Sequence, residues 1–193
     1  RGRVADGGLS ALEKNVDALI VVPNDRLLTI TSKDTTFKDA FAMSDEILRQ
    51  VVEGISELIT TQGVINIDFA DIKSVMADAG SAFMGIGVAT GENRAEEAAY
   101  AAINSPLLDV AISGAKGVLF AIAGGDDLTM HEVHQIAKIV TDSVDPEAKI
   151  IFGPIHDEKL KKGEIKVTVI ATGFQVNQKK TSSGNGSPFI QRI

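Results

Sequence analysis

Between Phe37 and Thr61 a set of apolar residues falls at Phe37, Phe41, Leu48, Val51, Val52, Ile55, Leu58 and Ile59. Steps of three and four lay one apolar stripe along an α-helix. Thr36 is placed to cap its start and Gly63 to end it. A helix of about 25 residues is roughly 37 Å long, enough to cross a domain, so residues 37–62 are predicted as a central strut and not a surface helix. Gly54 inside it costs up to about 1 kcal/mol. A strut of this kind needs packing partners, and the rest of the chain has to supply them.

Ahead of the strut, Val4 to Lys14 reads as the end of a helix, and Val16 to Val22 as a buried strand stopped by Pro23-Asn24-Asp25. One helix and one strand cannot build a sheet. Residues 1–36 are therefore expected to be the remnant of a neighbouring α/β domain, with Ala18 to Val22 left as an orphan strand prone to swapping. Arg1 stands where an initiator Met would, so the chain reads as cut from something longer.

After the strut come a short helix (Asp68 to Ala77), a strand (Ser81 to Ala89), an Ala-rich helix (Asn93 to Ile103) and a strand (Gly117 to Ala123). Asp126 and Thr129 offer start signals for a helix from Met130 to Val144; Lys149 to Phe152 and Glu164 to Thr172 read as two more strands. The fold class is α+β: the strut, then over residues 63–174 a small domain of roughly four strands in a mixed sheet, its two main helices on one face. Residues 175–193 are Lys, Ser, Asn and Gly with few apolar positions, the composition of a flexible tail.

Charge and composition remove several functions. With 26 acidic and 19 basic residues the net charge is −7, the wrong sign for a nucleic-acid surface. The absence of cysteine excludes disulfides, thiolate nucleophiles and sulfur-ligated metals. The longest apolar runs fall far short of the roughly 20 residues a bilayer requires, so no direct membrane insertion is expected.

The segment Gly63-Val64-Ile65-Asn66-Ile67-Asp68-Phe69-Ala70-Asp71 carries two carboxylates three positions apart where a loop enters a helix. Two readings fit. Asp68 is a good N-cap with Asp71 at the third helical position, both favourable to the helix dipole. Alternatively, the two carboxylates and the Asn66 amide project outward to orient a water on a phosphate. Elsewhere the residues read plainly. Gly85 and Gly87 lie in a strand, where they mark close approach of another backbone. His131 and His134 lack the spacing and third ligand of a zinc site, and no metal ligand is assigned. Lys159, Lys161 and Lys162 are expected at a solvated hairpin tip, and Arg94, Glu96 and Glu97 on a solvated helix face.

Five motifs in order carry a resemblance: Val21 with Pro23-Asn24-Asp25-Arg26-Leu27-Leu28; Asp39-Ala40-Phe41 with Asp45 and Leu48; Gly63-x-x-Asn66-x-Asp68-x-x-Asp71; Ala79-Gly80-x-Ala82-x-Met84-Gly85-x-Gly87; and Ser105-Pro106-Leu107-Leu108-Asp109. From about Gly7 to Phe174 the chain resembles the FtsZ family of tubulin-like cell-division GTPases. The resemblance implies a cytoplasmic protein that polymerises head to tail into the filaments of the division ring at mid-cell, binding GTP or GDP with Mg²⁺. It also implies that the Asn66–Asp71 segment of one subunit completes the GTP site of the next. Asp68, Asp71 and Asn66 then match the catalytic positions, and Asn24, Phe41 and Asp45, with Arg1, match nucleotide contacts. The family's phosphate loop, Gly-Gly-Gly-Thr-Gly-Thr-Gly, has no counterpart here, so the chain matches the C-terminal half. It is expected to be inactive alone, with Mg²⁺ held mainly by the nucleotide and the absent domain. A different outcome of the same resemblance is a non-catalytic module that caps or inhibits such filaments. In the tail, Pro188-Phe189-Ile190 with Arg192 is similar to the family's terminal peptide only in having an apolar core beside a basic residue, a possible contact for division-protein or membrane-tether partners.

Overall fold

The computed structural model describes residues 2–22, 36–60, 68–105, 108, 112–157 and 159–174. Helix α1 (Gly2–Glu13) leads into β1 (Ala18–Ile20); α2 (Phe37–Thr60) is the strut, followed by α3 (Phe69–Met76). Then come β2 (Gly80–Thr90), α4 (Arg94–Ile103), a 3₁₀ turn (Ile112–Gly114), β3 (Gly117–Gly124), α5 (Met130–Asp142), β4 (Lys149–His156) and β5 (Glu164–Thr172). Thr36 caps α2 as expected: its Oγ1 accepts the Asp39 N–H at 3.2 Å.

The sheet order is β1-β2-β5-β3-β4. β3 pairs in parallel with β4, and β5 runs antiparallel to both β2 and β3. The four expected strands are joined by β1, whose residues 18–20 pair in parallel with 80–82. The strand expected to be an orphan therefore finds its ladder on the first residues of β2. Since β2 and β3 are parallel with β5 between them, α4 and α5 each serve a crossover, and both cover one face of the sheet. The two main helices thus share one face as expected, and α2 and α3 pack on the other face through Val51, Ile72 and Val75 against Met84, Leu119, Ala121 and Ile170. The result is three layers. β3, central and covered on both sides, has all eight of its residues buried, as the unbroken run Val118 to Ala123 allows.

The strut's stripe divides. Val51 is buried and Ile55 half-buried against the sheet, whereas Leu48, Val52 and Ile59 are exposed on the other side. Gly54 lets α2 lie close: a Cβ there would meet the Met84 methyl at 3.0 Å. The two glycines of β2 do the same for α4, whose Ala95, Ala98, Ala99 and Ala102 are all buried. A Cβ on Gly85 or Gly87 would sit 2.1 Å from the Ala102 carbonyl oxygen or 2.0 Å from that of Ala98. β4 extends to His156, past the expected end at Phe152; it is an edge strand, where the missing N–H of the buried Pro154 is tolerated. The lysines at 159, 161 and 162 are exposed as expected, but they do not form a hairpin tip: β3 lies between β4 and β5.

Arg94 is the clearest correction. Expected on a solvated face, it is only 7% exposed. Its Nε and Nη2 grip both Glu132 oxygens at 2.6 and 3.1 Å, and Nη1 donates to Asp127 Oδ2 at 2.6 Å. Nη2 also reaches the Asp127 carbonyl at 2.9 Å, and Asp127 Oδ2 takes the Gly163 N–H at 3.1 Å. Glu132 in turn closes a capping box with Thr129 at the start of α5. One guanidinium thus ties together the starts of α4 and α5, the turn after β3 and the connection before β5. Its hydrogen bonds hold Glu132 down to about 2 and push Asp127 below the usual carboxylate range.

Candidate functional site

Asp68 has an extended backbone (φ −81°, ψ 161°) and is the N-cap of α3; its Oδ1 accepts the Asp71 N–H at 2.6 Å. Ile72 N–H closes the first turn onto the Asp68 carbonyl at 3.3 Å. The capping reading of this pair is therefore what the geometry contains, and it fixes Asp68 and Asp71 side by side on one turn. Both side chains are exposed, as is Ala70, and Phe69 between them is 68% exposed. Directly behind, Ile72 and Val75 are buried against the sheet. The sequence alternates accordingly: residues 68–71 face solvent and positions 72 and 75 anchor.

The Asp71 amide is occupied by the Asp68 carboxylate, and the start of α3 presents outward negative charge. Chemically, such a pair can orient and polarise a water against an anion held from outside. Of the other expected site residues, Asp45 is exposed on α2. Phe41 lies on the same helix, with its side chain outside the described residues; Arg1, Asn24 and Asn66 lie outside them too. Among the described residues the geometry brings together Asp68 and Asp71, and no group of three or more His, Asp or Glu is placed to hold a metal ion.

An open cleft of about 560 Å³ lies between the turn after β3 and the β4–β5 connection, lined by Asp126, Asp127, His156, Asp157 and Lys162 among others. None of its residues belongs to α3, so the cleft is separate from the carboxylate pair. Arg94, which braces one wall, was detectable in principle: a cation in the first turn of a helix opposes the dipole and needs another partner.

Residues 80–175 match the FtsZ family, C-terminal domain. They are the C-terminal domain of an FtsZ-family protein. Beyond that domain, similarity extends to FtsZ from M. jannaschii, solved as an empty dimer, at 44% identity and a TM-score of 0.82 over 88% of this chain and 49% of that one. A W319Y mutant of the same FtsZ matches equally, covering 50% of its length. CetZ2 from Haloferax volcanii, a GTPγS-bound protofilament, shares the fold at 20% identity and a TM-score of 0.62. The chain thus spans about half the length of these FtsZ structures. Among its described residues, no helix is long and apolar enough to cross a membrane.

Proposed function

We propose that this chain is the C-terminal half of a polymerising, FtsZ-like GTPase, and that its Asp68 and Asp71 complete the hydrolytic site of the adjacent subunit. The observation that carries the reading is the exposed carboxylate pair on the first turn of α3, in a chain 44% identical to FtsZ. The reaction is GTP plus water to GDP and phosphate. Asp68 and Asp71, with Asn66 from the adjoining loop, orient and polarise the attacking water, while the neighbour holds the nucleotide with Mg²⁺. Because the site is shared, hydrolysis requires head-to-tail assembly. Residues 1–36 belong to the nucleotide-binding domain, where Arg1 and Asn24, with Phe41 and Asp45 of the strut, contact the nucleotide. The exposed stripe of Leu48, Val52 and Ile59 packs against that domain. The intact protein acts in the cytoplasm at the division site.

The test is complementation. Full-length M. jannaschii FtsZ with its own loop aspartates replaced is mixed with this chain, and phosphate release is followed. Restored hydrolysis that disappears with the Asp68→Ala/Asp71→Ala chain is expected. Equal stimulation by the doubly substituted chain would show the assignment to be wrong.

A further inference from the structure

α3 is eight residues long, about 12 Å, too short to hold its direction by its own hydrogen bonds. Its aim is set by what it touches. Ile72 and Val75 press on the sheet, and at the far end Thr172, the last residue of β5, makes a polar contact across 97 positions of sequence. Thr172 is 1% exposed. Its hydroxyl donates to the Val75 carbonyl at 3.0 Å, sharing the proton with the Gly117 carbonyl at 3.3 Å. The last-turn carbonyls of a helix lack partners within it. In α3, Lys73 O takes the Ala77 N–H and Met76 O the Ala79 N–H, and Thr172 serves Val75 between them. The seat also depends on Gly117, the ladder partner of Thr172. A Cβ there would lie 2.6 Å from Thr172 Oγ1 and 2.9 Å from Val75 Cγ1.

Building on the proposed role of Asp68 and Asp71, we propose that Thr172 is a positioning residue for that pair. From Val75 to Asp68 the helix is a lever of about 10 Å, so a tilt of roughly 6° moves the carboxylates by about 1 Å. A valine at 172 fills the same space but gives Val75 no proton. The buried carbonyl then has to turn toward another donor, and the lever turns with it. A displacement near 1 Å is enough to lower a rate by up to about a hundredfold. The nucleotide is bound by the other subunit, so its KM has no reason to change.

The experiment is the complementation assay above, at saturating chain, with GTP varied and each variant's thermal midpoint measured. Thr172→Val is expected to lower kcat about tenfold or more at unchanged KM, Thr172→Ser to recover most of it, and Gly117→Ala to reproduce the loss. Val140→Ala, which opens a hole in the α4–α5 core away from α3, is expected to lower the midpoint and keep kcat. Wild-type kcat in Thr172→Val, while Asp68→Ala/Asp71→Ala is dead, overturns the positioning role and leaves the catalytic reading standing. A kcat that falls in Val140→Ala in step with its stability overturns it as well. Full activity in Asp68→Ala/Asp71→Ala brings down the catalytic reading itself.

Discussion

Replacing Arg94 with methionine keeps most of its volume and removes the only charge that Glu132 and Asp127 share through it. Glu132 is held at about 2 against 4.5 for the free side chain, chiefly by its hydrogen bonds to Arg94. At 1.36 kcal/mol per unit, that difference is about 3 kcal/mol of folding stability, of which Arg94 supplies the largest share and the Thr129 hydrogen bonds a smaller one. The Glu132 side chain is 17% exposed, so solvent screens little of it. Asp127 is a third exposed and adds to the same sign without changing the scale. Loss of one partner from a buried pair costs about 3–5 kcal/mol in general, the same range. The pH dependence has a definite direction. A carboxyl whose folded value is depressed stabilises fully above its unfolded value and loses that contribution as it is protonated. The Glu132 contribution is therefore complete above about pH 4.5 and disappears toward about pH 2. Urea unfolding of the wild-type and Arg94→Met chains, followed by circular dichroism, should give a gap of about 3 kcal/mol at neutral pH that narrows below pH 4. Adding Glu132→Gln to Arg94→Met should recover part of the loss by removing the stranded charge. A gap under about 1 kcal/mol at neutral pH, or one that stays constant into acid, would refute the reasoning.

Asp68 has a cap to make and a proposed water to orient, and substitution separates them. Asp68→Ser should keep stability within about 0.5 kcal/mol of wild type and Asp68→Ala should lose about 1 kcal/mol, while both lose complementation of hydrolysis; activity in the serine variant would count against the carboxylate. Phe69→Ala should leave urea unfolding unchanged within about 0.5 kcal/mol and weaken co-sedimentation of the chain with FtsZ filaments, because an exposed ring at the edge of the pair is read as an assembly contact. Unaltered co-sedimentation would remove Phe69 from that interface. Gly87→Ala places a methyl carbon 2.0 Å from a helix carbonyl oxygen and should cost about 1–3 kcal/mol in the same melts; a neutral result would mean that α4 can lift from β2 freely.

The elements themselves were largely written in local chemistry. The steps of three and four in α2, the Thr129–Glu132 box at α5 and the apolar run of β3 each declare themselves within a few residues. What escaped depends on partners far away in sequence. Nothing near Lys159 says that β3 separates β4 from β5, and nothing beside Ala18 says that its ladder begins at Gly80. Arg94 looked like any helix cation because Asp127 and Glu132 lie more than 30 residues on. At the candidate site, the spacing of Asp68 and Asp71 was legible as a cap, and the cap is what the backbone displays. The catalytic reading came from the ordered motifs. The seat under α3 was invisible, since a threonine ending an apolar strand differs from valine by one oxygen.

The order of strands has a consequence for how such a domain is born. Of the five described strands β5 is the last to leave the ribosome, yet it lies in the middle, flanked by β2 and β3. Until Thr172 has been synthesised, β2 with α4, and β3 with α5 and β4, are two half-built pieces whose facing edges carry unpaired backbone. Closure of this sheet is a late, non-local event, and a nascent chain stalled before it presents two sticky borders to its neighbours on a polysome.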